Sequence, residues 1–179
     1  MISPKSFQIK KYWWFQFPFH LRLITKIRFF ASFGAGGVIY LTSLIFNNIG
    51  LSATDIGLGF TISAITGTLT RFFTGNYLNK TGKIEYPLIT SSLISILAGI
   101  FLITSKDTLF YLIGQSLIGA AAGIYWPAAE FGVPCFCHPI DTRKAFALVR
   151  SAEALGIFLG VFFGGFMSSF FYSKSIFIN

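Results

Sequence analysis

Charged residues are scarce in this chain of 179 residues, and acidic residues are the scarcest of them. Only 11% of the residues are charged, with 14 Lys and Arg against 6 Asp and Glu, whereas a soluble domain is about one quarter charged. No water-soluble domain, linker or low-complexity tract stands out along the chain. The composition therefore excludes an ordinary soluble domain.

Histidine and cysteine are also rare, which limits the chemistry that the chain can carry. Neither His20 nor His138 lies within a long apolar segment, and the CxCH group of Cys135, Cys137 and His138 lacks a fourth zinc ligand. There is no phosphate loop of the type GxxxxGK followed by Ser or Thr. An intramembrane enzyme would need a clustered catalytic constellation, so we predict no enzyme activity, no metal and no cofactor.

Apolar and aromatic residues are abundant instead. Hydrophobic residues make up 54% and aromatic residues 18% of the sequence, and the mean hydropathy is +0.69. Five segments are long enough to cross a hydrocarbon core of about 30 Å at about 1.5 Å per helical residue. The predicted spans are residues 29–46, 56–78, 86–105, 109–131 and 142–172. The predicted fold class is all-α, a polytopic membrane helix bundle of about five transmembrane helices in contact with the lipid bilayer.

The first 28 residues differ from the rest because cations and aromatic residues are interleaved there. We predict that residues 1–28 form a basic aromatic arm at the cytoplasmic interface, with its aromatic rings at headgroup depth and its cations against anionic lipid. Charges persist to Arg28 without a small-residue cleavage site, which argues against a signal peptide. Nucleic acid is not a predicted partner, because the positive-inside bias explains most of the net charge of +8.

The loops predict the orientation, because cytoplasmic loops collect Lys and Arg. The arm carries six cations, and the connectors 79–85 and 138–144 carry two each, whereas the connectors on the other side carry few. We therefore predict an integral protein of a bacterial inner or plasma membrane with a cytoplasmic N-terminus. Five crossings would leave Asn179 at the outer side.

Ionisable residues inside the spans are the candidates for function, because they are costly in lipid. Arg150 and Glu153 lie about 12 and 16 Å into the fifth span, and Arg71 falls in the same inner half of the second. We predict a cluster of Arg71, Arg150 and Glu153, with Glu130 nearer the cytoplasmic surface. A carboxyl group there is a candidate proton carrier, since desolvation and a nearby Arg shift its pKa in opposite directions. The alternative is a fixed ion pair that holds helices together.

Glycines recur along the fifth span. Gly156, Gly160 and Gly164 are four residues apart, and Gly165 follows the last of them. On a helix they form one bare face where another backbone can approach closely. A second chain, a second copy of this chain or lipid is expected to cover that face.

The connector after the second span resembles a loop of the major facilitator superfamily. It reads GNYLNKTGK, residues 75–83, and its matches to the family's loop between helices two and three are Gly75, Lys80, Gly82 and Lys83. Asn79 stands where the family has an Asp. Independently of the family, Gly82 suits a tight turn that requires positive φ.

The fourth and fifth spans resemble the family's helices four and five. The matching residues are Gly119, Gly123 and Pro127 in the fourth span and Gly160, Gly164 and Gly165 in the fifth. Gln115 stands at an Arg position of the family, and Val161 at a Pro. The segment FALVRSAEALG is similar to the bacterial multidrug-efflux branch, the drug:proton antiporters, with Arg150 at the expected basic position and Glu153 where many members have a small amide.

The resemblance covers residues 28–167 and implies transport rather than catalysis. In the family, a small and often amphipathic molecule moves with proton coupling, and helices four and five line the route. A complete member has two such halves, so about five spans predict a truncated or half-length transporter. Its partners would be a small-molecule substrate and a second half-transporter chain or a homodimer. The alternative is a membrane interaction protein without transport, or an inactive fragment of a transporter.

Overall fold

The computed structural model describes residues 13–176, except for the side chains of Trp13, Tyr40 and residues 170–176. After a 3₁₀ turn at Trp13–Gln16, the described part of the chain forms five α-helices. They are α1 (Phe19–Asn48), α2 (Ala53–Thr81), α3 (Glu85–Thr104), α4 (Thr108–Phe136) and α5 (Thr142–Ile176). The predicted all-α class is confirmed. Residues 1–12 of the predicted arm and residues 177–179 lie outside the described residues.

The helices correspond to the predicted spans. Each is long and apolar enough to cross a membrane by length and composition, and four of the predicted spans agree with helix bounds to within five residues. The exception is α1, which begins ten residues before the predicted span, so that the second half of the predicted arm is helical. The helix continues because Leu21, Thr25 and Arg28 lie on one face of it and are buried in the bundle.

The bundle consists of two closely packed groups. In one, α1 packs along α5; in the other, α4 packs along both α2 and α3; direct packing of α4 on α1 or α5 is sparse. We call these the α1/α5 pair and the α2/α3/α4 group. Two apolar clusters join them, one near each end of the bundle. The first contains Phe17, Leu21, Val133, Cys137, Ala145 and Val149, and the second contains Phe46, Leu51, Ile56 and Tyr111.

Bare glycines allow α4 to approach α2 closely. A Cβ atom added to Gly119 would overlap the carbonyl oxygen of Ser63, and one added to Gly123 would overlap that of Gly67. The close approach permits hydrogen bonds between the helices, in which the Thr66 hydroxyl donates to the Ser116 carbonyl at 2.9 Å. Small residues with interhelical hydrogen bonds are the usual way in which helices associate in lipid.

Polar residues cap the starts of some of the helices, and a glycine ends α2. Ser52 and Asp55 form a capping box at the start of α2, and Gly82 ends that helix at φ 64°, in the left-handed region. Asp141 precedes α5 and accepts a hydrogen bond from the backbone N–H of Arg143 at 2.8 Å. The side chain and then the backbone N–H of Arg143 lower the pKa of Asp141. Because the pKa is lowered, this cap stabilises the folded chain above the ordinary Asp range of about 3.9 and is lost as the pH falls through the folded-state value.

Replacing Gly119 with Ala is expected to destabilise the protein by about 1–3 kcal/mol, the usual cost of overpacking. The added methyl group would overlap the backbone of Ser63. Unfolding in sodium dodecyl sulfate, followed by circular dichroism, measures the effect. Gly57→Ala is the matched control, because nothing lies within 4 Å of a Cβ atom there, and Ala is the better helix former. Equal stability of the two variants would contradict the packing of α4 on α2.

Candidate functional site

Arg28 is a buried cation inside the bundle. It lies nine residues after Phe19, about 14 Å along α1, and its side chain is only 1% exposed. Its Nη2 donates to Glu153 Oε2 of α5 at 2.9 Å, and its Nε lies 3.3 Å from the same oxygen. Nη2 also lies 3.5 Å from Glu130 Oε1 of α4. One guanidinium group therefore binds carboxylates from two other helices.

Arg150 completes the arrangement from α5. Its Nη2 donates to Glu130 Oε1 at 2.6 Å, and its Nη1 donates to Glu153 Oε2 at 2.9 Å. Each arginine thus contacts both carboxylates, and the four charges sum to zero. We call Arg28, Glu130, Arg150 and Glu153 the charge network.

The members of the charge network differ in burial, which sets the energetic order of the contacts. The side chain of Glu153 is 17% exposed, whereas those of Glu130 and Arg150 are 43% and 54% exposed. Burying a charge such as that of Arg28 is costly unless a partner compensates it. The pair of Arg28 and Glu153 is therefore the most demanding contact, and Glu130 is the carboxylate that remains accessible.

Aromatic rings of α4 cover the other side of Arg28. Its guanidinium carbon lies 3.6 Å from the centre of the Trp126 ring and 6.0 Å from that of Tyr125. Trp126 precedes Glu130 by four residues, so both lie on the same face of α4. A cation over an indole face is attracted by the ring quadrupole. The same helix face therefore supplies a carboxylate and an aromatic surface to Arg28.

Two glycines of α5 bring Glu153 within reach of Arg28. A Cβ atom added to Gly156 would lie 2.5 Å from the Phe29 carbonyl oxygen, and one added to Gly160 would overlap that of Phe33. Glu153 is one helical turn before Gly156, and Arg28 is next to Phe29, so the close backbone approach sets the register of the ion pair. These two glycines are covered by α1 of the same chain, so the expectation that a second chain, a second copy or lipid covers them is wrong. Gly164 lines a groove of about 1210 Å³ between α1 and α5.

Arg71 is the predicted member that the structure does not bring into the cluster. It is exposed on α2, and no ion pair of Arg71 occurs among the described residues. The reason is rotational: α2 turns Ser63, Thr66, Gly67 and Thr70 toward α4, and Arg71 lies beside that face. Arg28 of α1 occupies the place that was predicted for Arg71.

Arg28 escaped the prediction because it was assigned to the arm rather than to a span. A helical period was nevertheless present in the sequence. The buried positions of α1 in this region are Leu21, Thr25, Arg28 and Ser32, which follow the spacing of one helix face. Extending the helical pattern backward from residue 29 would have placed Arg28 on that face.

The remaining predicted residues lie away from the charge network. Gln115 is buried on α4, fifteen residues and about 22 Å before Glu130. Gly119 and Gly123 pack against α2, and Pro127 lies inside α4.

The residues of the loop motif lie at the end of α2. Asn79, Lys80 and Lys83 are exposed, Gly75 has no neighbour within 4 Å of an added Cβ atom, and Gly82 forms the turn. In α5, the carbonyl oxygen of Gly165, the last glycine of the series, accepts a hydrogen bond from the Ser168 hydroxyl at 2.8 Å.

Metal ligands are not clustered in the described part of the chain. Cys135 is exposed and Cys137 is buried, and Cys137 Sγ lies 3.4 Å from the Thr142 hydroxyl. No group of three or more His, Cys, Asp or Glu that could hold a metal ion occurs between residues 13 and 176.

The bundle and its charge network define an integral membrane protein of the polytopic helical class, with ionised residues held between its helices. The sequence model described as Major Facilitator Superfamily matches residues 27–179, and the chain belongs to that family. No curated protein matches the chain. Family membership supports a major facilitator-type transporter, a class of proteins that are not enzymes.

Replacing Glu153 with Gln is expected to cost about 3–5 kcal/mol of stability, because the buried charge of Arg28 would lose its closest partner. Glu130→Gln should cost less, since Glu130 is more exposed and lies farther from Arg28. Unfolding in sodium dodecyl sulfate gives both values. Glu85→Gln is the control, because Glu85 is exposed and has no ion pair among the described residues. If Glu153→Gln is no less stable than Glu85→Gln, Arg28 does not depend on Glu153.

Proposed function

We propose that this chain acts in the proton-coupled transport of a small molecule and that the charge network takes up the proton. The supporting observation is Arg28, a buried cation shared by two carboxylates of which one is accessible. Protonating Glu130 or Glu153 changes the charge of the network from zero to +1. A buried arginine then loses part of its compensation, which is costly inside a membrane. Proton uptake therefore favours a different arrangement of the helices that carry these residues.

The charge network also lies where helix movement would matter. Glu130 is the α4 residue to which both Arg28 of α1 and Arg150 of α5 bind. It therefore links the α1/α5 pair to the α2/α3/α4 group by charge. A proton on Glu130 weakens that link without disturbing the glycine contacts inside either group. A proton can shift a conformational equilibrium only by such a difference between two states.

Export in exchange for protons, as in the multidrug-efflux branch, is a second and more specific candidate. The segment FALVRSAEALG carries this resemblance, and its two charged residues, Arg150 and Glu153, both belong to the charge network. Exchange requires the proton and the substrate to compete for the same site. The dependence of substrate binding on pH therefore distinguishes export by exchange from transport in which both move together.

Trp126 is expected to report proton uptake, because its ring stacks on Arg28. In a Trp13→Phe/Trp14→Phe background it is the one remaining tryptophan of three. Its fluorescence should change with pH in a single titration step. Glu130→Gln and Glu153→Gln should abolish or shift that step, whereas Glu85→Gln should leave it unchanged. In vesicles at matched protein levels, the variants should also lose substrate flux that is driven by a proton gradient.

Two outcomes would contradict this proposal. If the pH titration of Trp126 is the same in all three Glu→Gln variants, the charge network does not take up the proton. If the parent chain shows no proton-driven flux and no pH response, the interaction protein without transport becomes the better assignment.

We also propose that the N-terminus is cytoplasmic, because the arm and the connectors 79–85 and 138–144 hold most of the cations. Cys135 is exposed near that end, and Thr54 is exposed near the other. In a Cys137→Ser background of intact cells, a membrane-impermeant maleimide should label Thr54→Cys/Cys135→Ser and leave Cys135 unlabelled until the cells are opened. The reverse labelling pattern would invert the orientation.

A further inference from the structure

Three buried polar atoms, one in the charge network and two beside it, have no hydrogen-bond partner among the described residues. They are Nη1 of Arg28, the hydroxyl oxygen of Ser32 and the hydroxyl oxygen of Tyr125. Arg28 is 1% exposed and Ser32 is 0% exposed. Buried polar groups in native proteins almost always have a partner. Three exceptions in one region call for a specific explanation.

The three atoms belong to the side chain of Arg28 and to those of two residues close to it in the bundle. Ser32 follows Arg28 by four residues, so it lies one turn farther along the same face of α1, about 6 Å away along the axis. The centre of the Tyr125 ring lies 6.0 Å from the guanidinium carbon of Arg28. On the α5 side, a Cβ atom added to Gly156 would lie 3.0 Å from the Cβ atom of Ser32. We call Arg28, Ser32 and Tyr125 the donor site.

The chemistry of the donor site selects one kind of ligand group. A guanidinium nitrogen can only donate hydrogen bonds, and both hydroxyl groups can donate as well. Oxygen atoms of an anion can accept from all of them, and hydrogen bonds between a guanidinium group and an oxyanion are among the strong ones. A cation would instead be repelled by Arg28. The unpaired groups therefore match a carboxylate or sulfonate.

We propose that the donor site binds the anionic group of a small molecule, a carboxylate or sulfonate, and that one proton binds to the charge network together with it. This proposal rests on the proposed function, since it needs Glu130 or Glu153 to take up the proton. The charge network is neutral with all four groups ionised, so an added anion brings it to −1, and a proton on either glutamate restores zero. An unbalanced charge is costly inside a membrane, so each ligand favours the binding of the other.

Two helices, α4 and α5, place charged or titratable side chains near Arg28. Glu130 and Tyr125 belong to α4, and Glu153 belongs to α5. Arg150, also of α5, donates hydrogen bonds to both carboxylates. Of these, the two glutamates are the groups whose protonation changes the charge that opposes Arg28. Binding of anion and proton together is the coupling of a symporter. It is opposite in sign to the competition that export by exchange requires.

The experiment uses the Trp13→Phe/Trp14→Phe chain in lipid nanodiscs and methanesulfonate as the ligand. The charge of methanesulfonate is constant between about pH 5 and pH 8, so any pH dependence belongs to the protein. Trp126 fluorescence should change saturably with methanesulfonate concentration. The Kd should fall by up to about tenfold for each pH unit of acidification, the value for one proton bound per anion.

Single substitutions test whether methanesulfonate binds at the donor site. Ser32→Ala and Tyr125→Phe remove hydroxyl groups that have no described partner, so they should weaken methanesulfonate binding without lowering the stability of the chain. The matched controls are Ser92→Ala and Tyr86→Phe, whose side chains are exposed on α3, and they should bind like the parent. Arg28→Lys should weaken binding most, because it loses the free Nη1.

Each contrary result has a separate meaning. A pH response of Trp126 without any methanesulfonate response would overturn the anion site and leave the proposed function standing. A methanesulfonate response that Ser32→Ala and Tyr125→Phe do not alter would overturn its location. Binding that is independent of pH, together with a parent chain whose Trp126 does not respond to pH, would overturn the proton coupling and the proposed function with it. Binding that tightens as the pH rises would overturn the joint binding of anion and proton and would favour exchange.

Discussion

The pairing of Arg28 with Glu153 is the constraint on which the rest of the bundle depends. A guanidinium group that is 1% exposed within a membrane helix needs an opposite charge at hydrogen-bond distance. That distance is reached because Gly156 and Gly160 have no side chains and let α5 lie against the backbone of α1. The ion pair of Arg28 therefore depends on the glycines of α5. Close packing of the two backbones sets the register, and the ion pair compensates the buried charge.

Two kinds of contact divide the work in this bundle. Backbone approaches at glycine hold helices together inside the α1/α5 pair and inside the α2/α3/α4 group. Between the two groups, apolar clusters near the ends and the partly exposed Glu130 make the connection. Glycine contacts do not respond to pH, whereas a carboxylate does. A proton can therefore act on the relation between the groups while each group keeps its own packing.

The sequence was a good guide to the spans and a poor one to the cluster. Hydropathy sets the length of a span through the thickness of the bilayer, so four of the five helices were found to within five residues. Positive φ at Gly82 followed from the shape of a tight turn. The pairing of Arg150 with Glu153 followed from their spacing on one helix. Arg71 was assigned to the cluster and Arg28 was not, because both choices depend on how separate helices are rotated about their axes.

The sequence by itself determined the membrane class, the helices and the family. It also showed which ionisable residues lie within the predicted spans, where contact with lipid would be costly. Each of these follows from local composition and spacing, because the bilayer imposes the same cost on every polar group along a span. Only the tertiary structure decided which arginine meets Glu130 and Glu153, that Trp126 covers it, and which donors beside it remain unpaired. Those facts depend on the mutual rotation and depth of α1, α4 and α5, which close packing sets through contacts between residues more than a hundred positions apart.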